Sequence, residues 1–347
     1  NVKKGDAYVT FSRKAIFAQK AIIEKKTGLK AAVIYGSLPP ESRAEQAKLF
    51  NDADSDYDVL VASNAIGMGL NLNIRRIILS SCRKFNGKYL APLSISEVKQ
   101  IAGRAGRFSS PHPEGFVTTL NQEDLRIVRS SLAAGFQPLK RAGLGPTLEI
   151  LEAFHQELPE ESFEGLLVYF LPILITVQVK FQEFGMTSKD YFICDMRDRI
   201  AIARLIEDLP TLTLEQRYTL TAAPVTLNDQ KNPSAERIMH AFCTAVSQRG
   251  SVCRIENYVN VPDQIPTSVD GPQNLEIKHK TVLLYLWLSF RFPDTFKDVA
   301  SALLLKEKLE TQISAALASL GQGYRKGKGH GAPIKKKSRR NPTVIQY

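Results

Sequence analysis

The sequence predicts an α/β domain with a RecA-like parallel sheet, followed by a mostly α-helical C-terminal region and a disordered basic tail. Three observations carry that reading. Short β-rich runs alternate with helical patterns over the first 146 residues, the apolar period becomes helical after Gly143-Leu-Gly-Pro146, and the chain turns rich in Gly, Lys and Arg from Gly321 onward.

The elements follow in order. Ala7–Phe11 reads as a strand, and Arg13–Lys26 as a helix whose apolar stripe is Ile16, Phe17, Lys20, Ile22 and Ile23. Ala31–Tyr35 is a second strand and Glu41–Phe50 a second helix. Asp58–Ala62 and Arg76–Ser80 have the unbroken apolar character of parallel strands buried on both faces. Ser96–Arg104 is helical with Ser94 or Ser96 as N-cap, and Gly115–Leu120 is a further strand. Helices are expected at Thr147–Leu158, Phe163–Gln182, Asp190–Leu209, Thr213–Ala222, Ser234–Gln248, Leu275–Phe292 and Thr295–Leu320. The expected divisions are 1–146, 147–272, 273–321 and a tail at 322–347.

Composition narrows the class. With 347 residues, 44% hydrophobic and 23% charged, the chain has material for two or three packed domains and is not disordered throughout. Its longest uncharged apolar run, Gly165–Val179, contains Pro172 and is shorter than the ~20 residues of a membrane span, so a buried helix is expected and no membrane partner. None of the four cysteines forms a C-x-x-C pair, which favours a reducing compartment over a disulfide framework. His240, Cys243 and Cys253 lack a fourth ligand at zinc spacing, so no metal site is expected. Residues 1–147 carry a net charge of +10, residues 148–321 of −7 and residues 322–347 of +8. A basic domain suits a polyanion, most often nucleic acid. Lys335–Arg340 reads first as a solvated tail, with an RNA-binding arm or a nuclear signal as the alternatives.

The strongest motif is Gln100-Ile-Ala-Gly-Arg-Ala-Gly-Arg107. It sets two guanidinium groups three residues apart at the end of a helix, each after a glycine that permits close backbone packing. Guanidinium is planar, permanently charged and forked, which fits phosphoryl oxygens and the charge that develops on a transferring γ-phosphate.

This segment resembles the sixth motif of superfamily-2 helicases. Val9-Thr-Phe-Ser-Arg13 resembles motif IV, Tyr35-Gly-Ser-Leu-Pro-Pro-Glu-Ser-Arg43 the block after it, and Val61-Ala-Ser-Asn-Ala-Ile-Gly-Met-Gly-Leu-Asn-Leu72 motif V. The pair of blocks Tyr35–Pro40 and Ala65–Leu72 is narrower than the superfamily and resembles the mitochondrial degradosome RNA helicases. Tyr191–Met196, Leu220–Pro224 and His279–Pro293 resemble that family's C-terminal helical region.

The resemblance implies an ATP-dependent RNA helicase that unwinds structured RNA for a 3′-to-5′ exoribonuclease in the mitochondrial matrix. It implies Arg104, Arg107 and Gln100 as catalytic residues, and Gly67 and Gly69, with both arginines, near ATP. It implies RNA-backbone contacts at Ser12, Arg13, Gly36, Ser37 and Ser63. Related helicases carry a strand-separating hairpin between motifs V and VI. Here that is Arg83–Leu90, with Asn86-Gly87 as its turn signal and Phe85 or Tyr89 to stack on the last base pair. Two departures stand out. Motif V has Ser63-Asn64 where the family has Thr-Asp, which removes a carboxylate. No G-x-x-x-x-G-K-[ST] occurs in the sequence. The family holds that phosphate loop, and the acid that binds Mg²⁺, in a preceding RecA-like domain. The chain is therefore expected to be the second motor domain and C-terminal region, partnered by that upstream domain. The rival expectation is a non-catalytic RNA-binding or docking scaffold with helicase-like motifs. Leu283–Trp287 is expected in a core rather than as a base-stacking platform.

Overall fold

Five strands align in parallel in the computed structural model, in the order β7-β4-β1-β3-β2. They are β1 (Asp6–Val9), β2 (Lys30–Ile34), β3 (Tyr57–Ala62), β4 (Arg76–Leu79) and β7 (Phe116–Thr119). The structure describes residues 2–67, 69–107, 110–136, 138–170, 191–227, 229–230, 232–248, 253–266, 268, 270–319 and 345–346. The chain forms two compact units: Asn1–Phe136 with Pro262–Glu276 and Leu309–Tyr347, and Gln137–Val261 with Ile277–Lys308.

In the first unit, β1 lies between β3 and β4, pairing Ala7 with Leu60 on one side and Ile77 on the other. The crossovers are α1 (Arg13–Thr27), α2 (Pro40–Asn51) and α3 (Ile95–Ala102). Ser12 caps α1 by accepting the Ala15 N–H, and Gly28 ends it in the left-handed conformation. Pro40 opens α2, where its missing N–H costs nothing. Ser94 and Glu97 form a reciprocal capping box on α3, which decides between the two candidate caps. Val9, Leu60, Ala62, Ile77, Leu79, Val98 and Val117 belong to one buried cluster. At the amino end of the sheet the fully buried Asp6 accepts Nε–H and Nη2–H from Arg76, its register partner on β4. Two residues of the tail, Ile345–Gln346 (β10), pair antiparallel with β7; residues 320–344 lie outside the described residues.

The structure corrects several expectations. Ile22 is 44% exposed, whereas Ile16, Phe17, Lys20 and Ile23 are buried. Helical spacing puts Ile22 a hundred degrees from Ile23, off the inward face. A helix, α4 (Gln122–Ala133), follows β7 where none was expected; its polar sequence hides an inward face of Leu125 and Val128. Between β4 and α3 the chain forms the hairpin β5 (Arg83–Phe85) and β6 (Leu90–Pro92).

The second unit is mainly helical. It contains β8 (Ala142–Leu144), α5 (Leu148–Glu157), a helix α6 at 163–170, β9 (Tyr191–Ile193), α7 (Arg197–Leu205), α8 (Leu214–Thr221) and α9 (Ala235–Ser247). β9 pairs in parallel with β8, so the helix expected from Asp190 starts only at Arg197. The expected helix at Gly165–Val179 lies largely outside the described residues. Two long helices, α10 (Gly271–Ser289) and α11 (Val299–Ser319), follow. Phe242 meets Tyr258, Tyr285 and Phe296 edge-on with centroids 4.9, 6.0 and 5.6 Å away. Leu284, Tyr285 and Leu288 are buried there; Leu283 is partly exposed, and Trp287 is half-buried with the Arg291 guanidinium 3.6 Å above its ring. No described helix is long and apolar enough to cross a membrane.

Leu60 sits at the centre of the sheet with no exposed surface. Leu60→Ala should destabilise the protein by about 2–5 kcal/mol, against less than about 0.5 kcal/mol for Ile22→Ala. Urea midpoints of the two variants check this contrast.

Candidate functional site

Parallel alignment brings the loops after the strands to one edge of the sheet. Their first residues stay in register: Thr10 N–H donates to Ala62, Ser63 N–H to Ile34 and Ser80 N–H to Val9, each at 2.9 Å. The segments containing Ser12, Gly36–Ser37 and Ser63 therefore share an edge, though they are up to 51 residues apart in sequence. Ser12, Gly36 and Ser37 are exposed and Ser63 is half-exposed. The Ser63 hydroxyl accepts the Ala65 N–H at 3.1 Å and starts the tight turn Asn64–Gly67.

Arg13 and Ser37 do not stand free at that edge. Arg13 Nη1–H donates to Gln273 Oε1 at 2.7 Å, and Arg13 Nη2 lies 3.3 Å from Glu276 Oε1. Ser37 and Tyr35 hydroxyls donate to the two oxygens of the same carboxylate, at 2.7 and 2.6 Å. Glu276 is 3% exposed. Burial, reinforced by the facing carboxylate, pushes the Tyr35 phenol far above its ordinary range, so it remains a donor. The first two turns of α10 thus occupy donors that the motif pattern would offer to RNA phosphates. Sequence reading missed Gln273 and Glu276, which sit more than 230 residues from their partners with no local signal to mark them.

The arginine motif emerges from the end of α3. Two N–H groups of Arg104 donate to the Gly67 carbonyl, Nε at 3.1 Å, and Nη1 lies 3.5 Å from the Leu70 carbonyl. Arg104 is half-buried and binds the motif V turn. Gln100 is exposed, and a Cβ at Gly67 would lie 3.7 Å from that of Gln100, so Gly67, Gln100 and Arg104 form one group. Gly69, at φ +72°, is exposed beyond it. Arg107 is also exposed, and among the described residues its guanidinium has no hydrogen-bond partner. The cationic group that can still meet a phosphate is therefore Arg107, whereas Arg104 already satisfies backbone carbonyls.

The hairpin projects its apolar groups outward. Phe85, Tyr89 and Leu90 are 62%, 63% and 60% exposed. Asn86 Oδ1 accepts the N–H groups of Lys88 and Tyr89, both at 3.0 Å, and Gly87 takes φ +100°. The Phe85–Leu90 pair closes a four-residue loop, Asn86–Tyr89. Lys84 joins β5 to Glu97 in the first turn of α3. Burial opposes ionisation of Glu97, but hydrogen bonds from Lys84 and Ser94 outweigh it and hold the carboxyl below its usual range. The residues weighed as zinc ligands are otherwise placed. His240 Nε2 lies 3.0 Å from Asp208, and Cys243 has no exposed surface, its thiol pushed up to about 12 by burial.

Residues 1–109 match the helicase conserved C-terminal domain, residues 201–247 the Suv3 C-terminal domain 1, and residues 273–319 the C-terminal domain of the ATP-dependent RNA helicase SUV3. The chain belongs to the SUV3 helicase family. Over 326 residues it is 39% identical to the mitochondrial DExH-box ATP-dependent RNA helicase DExH18 of Arabidopsis thaliana, covering 94% of this chain and 39% of that one. It is 42% identical over 300 residues to the mitochondrial DExH16 of the same plant, covering 86% of this chain and 50% of the relative. It is 38% identical over 317 residues to the mitochondrial ATP-dependent RNA helicase SUPV3L1 of Homo sapiens, covering 89% and 38%. The chain spans about two fifths to half the length of these relatives. The family's two C-terminal modules fall on α7–α9 and on α10–α11, and the helicase conserved C-terminal domain on strands β1–β4 of the parallel sheet and on α3.

Removing the Glu276 carboxylate leaves Arg13 poorly paired in a largely buried position. Glu276→Ala should cost about 3–5 kcal/mol of stability, and the Arg13→Ala, Glu276→Ala double variant less than the sum of the two singles. Chemical denaturation of the three variants measures both.

Proposed function

We propose that the chain acts as the second motor domain and C-terminal region of an ATP-dependent RNA helicase, unwinding structured RNA for a 3′-to-5′ exoribonuclease in mitochondria. The observation that carries this reading is the exposed Arg107 guanidinium, which follows α3 three residues after the Arg104 that holds the motif V turn. ATP, bound with Mg²⁺ chiefly by the preceding RecA-like domain of the whole protein, supplies the transferable γ-phosphate. The residues here fit that partner: an exposed guanidinium at Arg107, and an exposed glycine backbone at Gly69. Arg107 stabilises charge that develops on the phosphoryl oxygens, and Arg104 fixes the turn and lends its own positive field. Gln100 positions the reacting side through Gly67. Because Arg107 lies on one domain and the phosphate loop on another, contact requires a closed cleft, and hydrolysis is coupled to domain movement.

RNA crosses the carboxyl edge of the sheet. Ser12, Gly36 and Ser63 offer hydroxyl and amide groups to phosphates without reading bases. Arg13 and Ser37 act there through Glu276, as supports of the same loops. The loss of a carboxylate at Asn64 leaves only neutral groups in that turn. The exposed aromatic groups of the hairpin stack on the terminal base pair as it opens.

The isolated 347-residue chain should show no measurable RNA-stimulated ATP hydrolysis, and RNA-dependent turnover by the purified chain would overturn the split active site. In the full-length protein, Arg107→Ala should lower ATPase kcat by about 10²-fold or more with ATP affinity little changed; Arg104→Ala should lower kcat and also loosen the Gly67 turn.

Replacing Asn86–Tyr89 by a two-residue turn in the full-length protein should leave the ATPase nearly intact and reduce base pairs opened per ATP. Each lost base stack is worth about 1–3 kcal/mol. An unchanged ratio would assign strand separation elsewhere.

A further inference from the structure

Arg107 is displayed by a backbone that nothing in the arginine motif itself explains. Gly106 has φ +75°, and a Cβ there would fall 2.4 Å from the Gly115 nitrogen. The reverse contact is tighter: a Cβ at Gly115 would lie 2.1 Å from the Ala105 carbonyl oxygen and 2.7 Å from the Gly106 nitrogen. The two glycines therefore pack backbone to backbone, at a distance no side chain tolerates. Both sides of this contact are fixed to the same place on the sheet. Ala105 bridges to Ile74, and the Gly106 N–H donates to the Ile74 carbonyl at 2.8 Å. Directly after Gly115, the Phe116 N–H donates to the Arg75 carbonyl at 3.0 Å and opens β7. The start of β4 thus holds the 105–106 segment and the 115–116 segment side by side.

The exit from Arg107 is tied as well. Its N–H donates to the His112 carbonyl at 2.9 Å. Its carbonyl accepts the Ser110 N–H at 2.9 Å, and the Ser110 hydroxyl lies 2.9 Å from that oxygen. The same hydroxyl accepts the His112 N–H at 3.1 Å. Arg107 is consequently the only charged side chain on a stretch of backbone gripped before it by Gly115 and after it by Ser110.

We propose that Gly115 and Ser110 are positioning residues for Arg107, setting the direction from which its guanidinium meets the transferring phosphate. This rests on the reading of Arg107 given above and extends it to two residues outside the motif. A methyl at residue 115 forces Ala105–Gly106 outward by about 1 Å, and displacement on that scale typically lowers turnover by about 10²-fold. The effect falls on kcat, because Arg107 acts on charge developed in the transition state.

The test uses the full-length helicase in six forms: wild type, Gly115→Ala, Ser110→Ala, Arg107→Ala, and Arg107→Ala combined with each of the other two. RNA-stimulated ATPase is followed with ATP and RNA titrations and thermal midpoints. Gly115→Ala is expected to lower kcat by about 10- to 100-fold with KM for ATP and RNA affinity within about twofold, and Ser110→Ala to lower it in the same direction by less. Each double variant is expected to be no slower than Arg107→Ala alone, because the positioning residues have nothing left to position. Ser110 is half-exposed, so its variant decides the matter should Gly115→Ala fail to fold. Wild-type kcat in the single variants, or losses that multiply in the double variants, overturns the proposal while leaving Arg107 in place. Wild-type turnover in Arg107→Ala removes the arginine reading itself, and the proposal with it.

Discussion

Parallel pairing of β1 with both β3 and β4 is the constraint on which the first unit depends. Parallel neighbours cannot be joined by tight turns, so each connection must return along the sheet, and each loop that follows a strand appears at the same edge. Both faces of the sheet are then covered, which demands unbroken apolar strands; Val59, Leu60, Val61 and Ala62 are all buried completely. The same geometry gathers motif IV, the block after it and motif V on neighbouring strands. Their order along the edge is set by the strand order, not by the sequence order.

Charge in this unit divides into cations that build the fold and cations that remain available. Arg76 is consumed by Asp6, Lys20 by Glu24 and the Ala31 carbonyl, Lys84 by Glu97, and Arg13 by Gln273 and Glu276. Burial lowers the Lys20 pKa, and the Glu24 carboxylate works against that loss. Groups removed from water require such partners, since an unpaired buried charge is far costlier than a paired one. Asp6, Glu24 and Glu97 are already counted in the net charge of the first 147 residues, so of these pairs only Arg13 with Glu276 lowers the field available to a polyanion. Arg107 differs because its neighbours hold its backbone and leave its guanidinium exposed.

Glycine serves the site by close approach. Gly67 lets the base of Gln100 and the guanidinium of Arg104 reach the motif V turn, and Gly106 with Gly115 lets two backbones touch. Spacing in the sequence announces Gly67 and Gly106, since both belong to motifs. Gly115 is an ordinary loop glycine until the chain is folded around it.

The sequence by itself determined the strands of the sheet, most helices to within a few residues, the hairpin and the residues of motifs IV, V and VI. These are local matters: apolar period, caps such as Ser12 and Ser94, and the Asn86-Gly87 turn depend on neighbours within a few positions. Polar α4 escaped because Leu125 and Val128 are its only buried apolar residues and share the inward face with Asp124 and Ser131, and β9 because three residues pairing with distant β8 carry no period of their own. Tertiary structure alone decided that Arg13 and Ser37 face Glu276 and that Arg104 faces the Gly67 carbonyl while Arg107 stays exposed. Side-chain chemistry names what each group is able to bind. Which partner it meets is fixed by burial and by the register of strands far apart in the chain, and a sequence pattern contains neither.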